Sequence, residues 1–281
     1  SVMHRAKIWI CYDLYFTLED ITKTRRMKII KSVLIIAIVL LVNQSQAQTK
    51  VIAHRGAFKL QNLPENSIAA LNHAIELNCF GSEFDIHLTK DDVLVVNHDK
   101  DFYGIDIERS TYQELLAKKH PNGESIPTVE AYIKEGMKQK KTRLVLEIKS
   151  SIIDKARTLK TTELTVALVN KLNAQDLVDY ICFDYDAGKL IHQLAPKADV
   201  AYLNGDIAPE QVKKDGYTGI DYHFNVFKNN PQWIEEAHKV GLSVNVWTVN
   251  SDEDIRHFIN QRVDYITTNE PERVFELLKA Q

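Results

Sequence analysis

VIAHRGAFKLQNLPENSIAALNHAIELNCFGSEFDIHLTKDDVLVVNHD, running from Val51 to Asp99, is the stretch whose reading decides the fold. Val51–His54 and Gly81–Ile86 are short β-rich runs. Between them Asn66 or Ser67 caps a helix that carries Ile68, Leu71, Ala74 and Ile75 on one face. Strand, helix, strand is a βα unit, so the spacing predicts parallel strands.

The same alternation continues to the end of the chain. Further strands are predicted at Arg143–Ile148, Val178–Phe183, Asp199–Tyr202, Gly219–Asp221, Ser243–Thr248 and Tyr265–Thr267, making eight in all. Helices are predicted from Thr128, over a stripe of Leu164, Leu168, Val169 and Leu172, and at 187–194, 209–214, 231–240, 252–259 and 271–278. Val93–Asn97 adds a small hairpin arm after the second strand, turned by Lys90-Asp91-Asp92. Eight strands with helices between them predict an α/β chain folded as a TIM (β/α)8 barrel, with a small hairpin and loop insertion after strand 2. There is no internal repeat, low-complexity tract or long linker, so one domain, residues 48–281, suffices.

The N-terminal part is set aside. Met27-Lys28-Ile29-Ile30-Lys31 is a short basic start, Ser32–Val42 an apolar run, and Ser45-Gln46-Ala47 offers small residues where a signal peptidase cuts. Residues 27–47 therefore read as a signal peptide, and 1–26 as an upstream non-native or disordered segment. A membrane span is the rival reading, but spanning takes about 20 apolar residues and this run is shorter. The expectation is an exported protein, periplasmic or secreted. The whole chain has 281 residues and a net charge of −3; the seven basic and three acidic residues before Gln48 leave 28 against 35. Such an acidic product, without a Lys/Arg block, is not built to bind nucleic acid or anionic membrane by bulk charge. Only Cys79 and Cys182 remain, too few for a disulfide scaffold, and two buried free thiols are expected. Oligomeric state leaves no mark on the sequence.

In a barrel of this kind the active site lies at the carboxyl ends of the strands. His54, Glu83, Asp85, Glu147, Lys149 and Trp247 all fall at predicted strand ends. Glu83 and Asp85, two apart on one strand, share a face. Inside a barrel two such acids repel unless a cation sits between them. With Glu147 from the neighbouring strand they make a hard oxygen set, suited to one divalent metal, Mg²⁺ or Ca²⁺ rather than zinc. The alternative is a structural ion network in which Arg55 and Lys149 neutralise the acids. His54 and His98 flank the carboxylate strand, where two imidazoles can serve a bound phosphodiester as acid and base; each can equally be a hydrogen-bonded structural residue. Arg55 and Lys149 offer phosphate a planar fork and a point charge.

His54-Arg55-Gly56, Pro64-Glu65-Asn66-Ser67, Glu83-Phe84-Asp85 with Thr89-Lys90-Asp91, His98-Asp99, Ile126-Pro127-Thr128, Glu147-Ile148-Lys149 and Val246-Trp247-Thr248-Val249-Asn250 together resemble the glycerophosphodiester phosphodiesterase family. The match runs in order from Val51 to Leu278. The resemblance implies a TIM barrel that hydrolyses glycerophosphodiesters, its small-molecule substrates, to glycerol 3-phosphate and an alcohol. It implies Glu83, Asp85 and Glu147 as metal ligands, His54 and His98 as the acid-base pair, and Arg55 and Lys149 on the phosphate. Trp247 would wall the glycerol or the leaving alcohol, and Glu65 and Asn66 would brace the first loop and cap its helix. It also suggests that the substrate's own hydroxyl attacks first, through a cyclic phosphate.

The chain departs from the family pattern after His98-Asp99, where Phe102-Tyr103-Gly104-Ile105 stands in place of an Arg-Thr-Thr segment. The connection to Arg143 is short, with little room for a large substrate-covering subdomain. His87, Asp221 and His223 also lie near strand ends, where structural or rim roles are expected. Two other readings stay open: a phospholipase D-like lyase on the same barrel, releasing a cyclic phosphate from lipids, and an inactive phosphodiester-binding relative.

Overall fold

The computed structural model describes residues 48–280. The segments read as upstream sequence and signal peptide, 1–26 and 27–47, lie outside the described residues. β1 (Lys50–Ala53), β2 (Gly81–Leu88), β6 (Arg143–Ile148), β7 (Val178–Cys182), β8 (Val200–Tyr202), β9 (Gly219–His223), β10 (Ser243–Trp247) and β11 (Tyr265–Thr268) pair in parallel, each with the next. β1 pairs with both β2 and β11, so the sheet closes on itself as a TIM barrel. All eight residues of β2 are buried, because strands of a closed parallel sheet have helices on one face and the barrel interior on the other.

Helices α1 (Ile68–Glu76), α3 (Val129–Gly136), α4 (Lys155–Lys171), α5 (Tyr185–Leu194), α6 (Pro209–Lys214), α8 (Trp233–Lys239), α9 (Asp252–Asn260) and α10 (Pro271–Lys279) surround the barrel. Their starts follow local chemistry. Ser67, Thr128, Asp154, Asp184 and Ser251 each accept a hydrogen bond from a backbone N–H three residues on, satisfying donors that the helix cannot. Pro209 and Pro271 open α6 and α10, where a missing N–H costs nothing.

On α4 the structure differs from the leucine stripe. Thr158, Thr161, Thr162, Thr165, Val166 and Val169 are buried, while Leu164, Leu168 and Leu172 pack at the margin of the core. The hydroxyls of Thr161, Thr162 and Thr165 donate to carbonyls one turn back, at 2.9, 2.9 and 2.7 Å. With its hydroxyl spent this way, threonine offers the core a methyl group and packs like a small apolar residue.

The hairpin arm is β3 (Leu94–Val96), antiparallel to β2. The insertion is more structured than the sequence reading had it. A two-stranded ribbon of β4 (Asp101–Phe102) and β5 (Ile105–Asp106) and a short helix α2 (Tyr112–Leu115) follow. Val95, Phe102, Ile107, Leu115 and Ile126 give this part its own small core. The Glu124 carboxylate accepts from the N–H groups of Ile68 and Ala69, at 2.9 and 3.1 Å, and pins the insertion to the start of α1. A further helix, α7 (Phe224–Asn229), continues directly from β9. Cys79 and Cys182 are free and buried. Among the described residues no helix is long and apolar enough to cross a membrane.

Candidate active site

The chain leaves β1 through a turn that its residues require. Arg55 and Gly56 both have positive φ, 55° and 81°, and a Cβ on Gly56 would lie 2.6 Å from the Ala70 Cβ. Only glycine lets the turn pack onto α1 here. The turn holds His54 and Arg55 over the carboxyl end of the barrel. His54 Nδ1 donates to Asn269 Oδ1 at 2.7 Å, which leaves Nε2 as the unprotonated nitrogen, 4.0 Å from Glu83 Oε2. Burial, then the Arg55 charge, brings the His54 imidazole down to about 4, so it is neutral at neutral pH.

The acids meet because of the strand register. Asp85 on β2 stands directly across from Glu147 on β6, and Glu83 lies one side-chain period below on the same face. One oxygen from each of the three lies within 4.8 Å of the others, and all three residues are buried. Burial pushes the Glu83 carboxyl well above the usual range, helped by the Asp85 and Glu147 charges. Glu147 is pushed up to about 7 by burial and by Asp85. Burial acts on Asp85 in the same direction, but Lys149, His98, an Asn66 hydrogen bond and Arg55 outweigh it and hold this carboxyl low. Lys149 Nζ lies 3.3 Å from Asp85 Oδ1 and 2.8 Å from Glu147 Oε1. Arg55 donates its backbone N–H to Glu83 Oε2 at 2.7 Å, and its Nε lies 3.8 Å from Asp85 Oδ2. The expected ion network is thus present, and it is compatible with a cation at the acids.

The donor set fits a hard divalent cation. It is all oxygen, it is compact, and Glu83 Oε1 is buried without a hydrogen-bond partner, an arrangement that is costly unless something positive completes it.

Six of the eight barrel strands, together with His54 and Leu203 just past the ends of β1 and β8, line a cavity of about 260 Å³ over these acids. His54 and His98 both line it, with Lys149 and Arg55. Trp247, Phe183 and Leu203 form an apolar wall, where the Trp247 indole meets the Phe183 ring edge-on and donates Nε1–H to the Asp221 carbonyl at 2.9 Å. His98 follows β3, and its Nδ1 pairs with Asp99 Oδ1 at 2.8 Å. Glu65 accepts from the Arg55 guanidinium at 2.6 Å. Of the two cap candidates, Asn66 and Ser67, the cap is Ser67, not the Asn66 that the family resemblance implied. Asn66, buried with φ 59°, exchanges two hydrogen bonds with Asp85, from Nδ2 to Oδ2 and from the Asp85 N–H to Oδ1, at 2.9 and 3.0 Å.

Asn269 carries no local signal in the sequence, whereas His87, Asp221 and His223 are expected near strand ends in structural or rim roles. Asn269 fixes the His54 tautomer across 215 positions of chain, and Asn250 Oδ1 in turn accepts from the Asn269 N–H at 2.9 Å. His87 donates its Nε2–H to the His98 carbonyl, 3.1 Å away, and so supports that loop. Asp221 lines the cavity, and burial together with the Glu147 charge lifts its carboxyl to about 8. His223 accepts from the Asn225 N–H at the start of α7 and packs beside Trp247.

Acids that call for a hard cation, two imidazoles on one cavity and cationic groups beside them make this a phosphoric diester hydrolase site on a TIM barrel. The family model described as the glycerophosphoryl diester phosphodiesterase family matches residues 54–273. A glycerophosphodiester phosphodiesterase of Caldanaerobacter subterraneus subsp. tengcongensis is 31% identical over 249 residues, covering 83% of this chain and 98% of that one. The crystal structure of a glycerophosphodiester phosphodiesterase from Parabacteroides distasonis is 41% identical, with a TM-score of 0.81 over 84% of this chain and 100% of that one. An Oleispira antarctica phosphodiesterase, solved in complex with the product sn-glycerol-3-phosphate, shares the fold with a TM-score of 0.71 at 21% identity, covering 83% and 97%. The chain belongs to the glycerophosphoryl diester phosphodiesterase family and is an enzyme of that kind.

Proposed function

We propose that the protein hydrolyses glycerophosphodiesters to sn-glycerol 3-phosphate and an alcohol, with His54 and His98 as its acid-base pair. The observation that carries this reading is the meeting of Glu83, Asp85 and Glu147 within 4.8 Å beneath a cavity lined by both histidines. The three carboxylates would hold Mg²⁺ or Ca²⁺, which when bound supplies positive charge against the phosphodiester oxygens. Arg55 and Lys149 orient the phosphate from the sides. His54, neutral and with Nε2 free, takes the proton of the attacking hydroxyl. His98, held by Asp99, gives a proton to the departing alkoxide. Trp247, Phe183 and Leu203 shield the glycerol carbons from water.

Phosphorus NMR on the chain from Gln48, first chelated and then given Mg²⁺ or Ca²⁺, tests this reading. Glycerol 3-phosphate should appear from glycerophosphodiesters only with metal. A transient cyclic phosphate would make the substrate's own hydroxyl the nucleophile, and a cyclic product formed from intact lysolipids alone would favour the lyase. We also propose export: protein recovered outside the cytoplasm should begin at Gln48, and retention of residues 1–47 would sink that reading.

A further inference from the structure

A second cavity, about 640 Å³, opens between the first loop (62–66) and the insertion (97–103 and 120–122). His98 borders this cavity and the catalytic one alike. With His98 as the group that protonates the leaving alkoxide, the leaving alcohol lies on its insertion side and the glycerol on the Trp247 side.

The wall has a definite chemistry. Three carboxylates, Glu65, Asp99 and Asp101, border the cavity, and no lysine or arginine does. Two of the acids are committed, Glu65 to Arg55 and Asp99 to His98. Asp101 has no cationic partner among the described residues; its Oδ1 accepts the Gly104 N–H at 2.8 Å, and its second oxygen forms no hydrogen bond there. Beside it is an aromatic corner. The Tyr103 and His120 rings stand at 81° with centroids 5.7 Å apart, the Tyr103 hydroxyl bonds His120 Nδ1 at 3.0 Å, and Phe102 meets both rings edge-on. Tyr103 is 49% exposed and borders the cavity.

His120 supplies an independent observation. It is only 6% exposed, it borders the cavity, and its Nε2 is buried with no hydrogen-bond partner. Burial also lowers the His120 imidazole, so it presents no charge against a cation.

We propose that this cavity is the subsite for the leaving alcohol and that it selects head groups carrying an alkylammonium charge. Asp101 supplies the countercharge and the Tyr103 ring, braced by His120, a cation–π face. An anionic head group meets three carboxylates, and a neutral polyol can give Asp101 a hydrogen bond but no charge–charge attraction. The inference rests on the phosphodiesterase reading above.

The test compares kcat/KM for glycerophosphoethanolamine, glycerophosphocholine and glycerophosphoglycerol in the wild type, Asp101→Asn and Tyr103→Ala, with metal present. Asn keeps the acceptor for the Gly104 N–H, and Tyr103 is a surface residue, so both variants should fold. Asp101→Asn should lose about tenfold on both ammonium substrates, the scale of one partly screened charge–charge attraction, with glycerophosphoglycerol little changed. Tyr103→Ala should weaken the choline substrate more than the ethanolamine one, since a quaternary ammonium depends on the ring. Equal effects on all three substrates, or a wild-type preference for glycerophosphoglycerol, would overturn the subsite while leaving the hydrolase reading intact. Failure of the wild type on all three would remove that reading and this one with it.

Discussion

Asp85 and Glu147 are register partners on adjacent parallel strands, and the Lys149 ammonium lies within 3.3 Å of an oxygen on each. Two buried acids side by side cannot both ionise at low cost, so the metal-free pair holds proton as well as lysine. With Glu147 at about 7 and Glu83 higher than usual, a divalent cation must displace protons as it binds. Titration calorimetry at pH 7 in two buffers of different ionisation enthalpy should therefore report proton release, with metal affinity falling as the pH drops below 7. Binding enthalpy that is the same in both buffers would mean the carboxylates are already ionised.

The same shift sets a stability dependence in the metal-free protein. A carboxyl whose folded value lies above its unfolded one contributes stability that is full below the unfolded value, about 4.5, and lost as the pH rises through about 7. Glu147→Gln removes that dependence. Chelated Glu147→Gln should gain on the wild type between pH 5 and pH 8 by on the order of 2 kcal/mol, read as the change in urea midpoint difference. A difference that does not vary with pH would place the proton elsewhere in the cluster.

Asn269 Oδ1 holds the proton on His54 Nδ1, and in the proposed mechanism it would act on the reaction only through that histidine. His54→Ala should lower kcat by about 10²- to 10⁴-fold with the melting temperature little changed. Asn269→Ala should cost less, with kcat falling more than KM rises, because the second tautomer becomes available. Should His54→Ala unfold the protein, the histidine is structural first.

The barrel was legible because β-rich runs alternate with helical patterns along the chain, and the acids because side chains two apart on a strand share a face. Glu83 and Asp85 share a face wherever the strand lies, and Glu147 needs only the neighbouring register to join them. Asn269 and His54 meet because the last strand closes against the first, and nothing local to either residue announces it. The threonine face of α4 was hidden for another reason: hydropathy scores the hydroxyl, whereas the helix backbone absorbs it. Asn66 and Ser67 are adjacent candidates for one cap, and the choice fell to the residue whose neighbour had Asp85 to bind.

Gly56 is a sharp test of the first turn. Gly56→Ala adds a methyl 2.6 Å from Ala70 at a φ of 81°, a combined packing and backbone cost of about 2–4 kcal/mol. The turn would shift and carry His54 and Arg55 with it. The variant should lose most activity and melt lower, whereas Gly104→Ala, with the same sign of φ but no atom within 4 Å of its added carbon, should lose stability only. Near-normal turnover in Gly56→Ala would show that the loop tolerates displacement.

His98 separates the two halves of the acid-base assignment. Its Nδ1 is occupied by Asp99, so in the proposed mechanism the remaining nitrogen would serve the oxygen that departs toward the insertion. An alcohol such as choline needs that proton, because its alkoxide is a poor leaving group; p-nitrophenolate does not. His98→Ala should therefore lose about 10²- to 10⁴-fold on glycerophosphocholine and far less on a glycerol p-nitrophenyl phosphodiester. His54→Ala should be slow on both, since the attacking hydroxyl must be deprotonated whichever group leaves. The comparison needs only the ratio of the two rates within each variant, so any loss of active protein cancels. If the ratios are interchanged, with His54→Ala rescued by the better leaving group, the roles are reversed and the leaving alcohol lies on the Trp247 side.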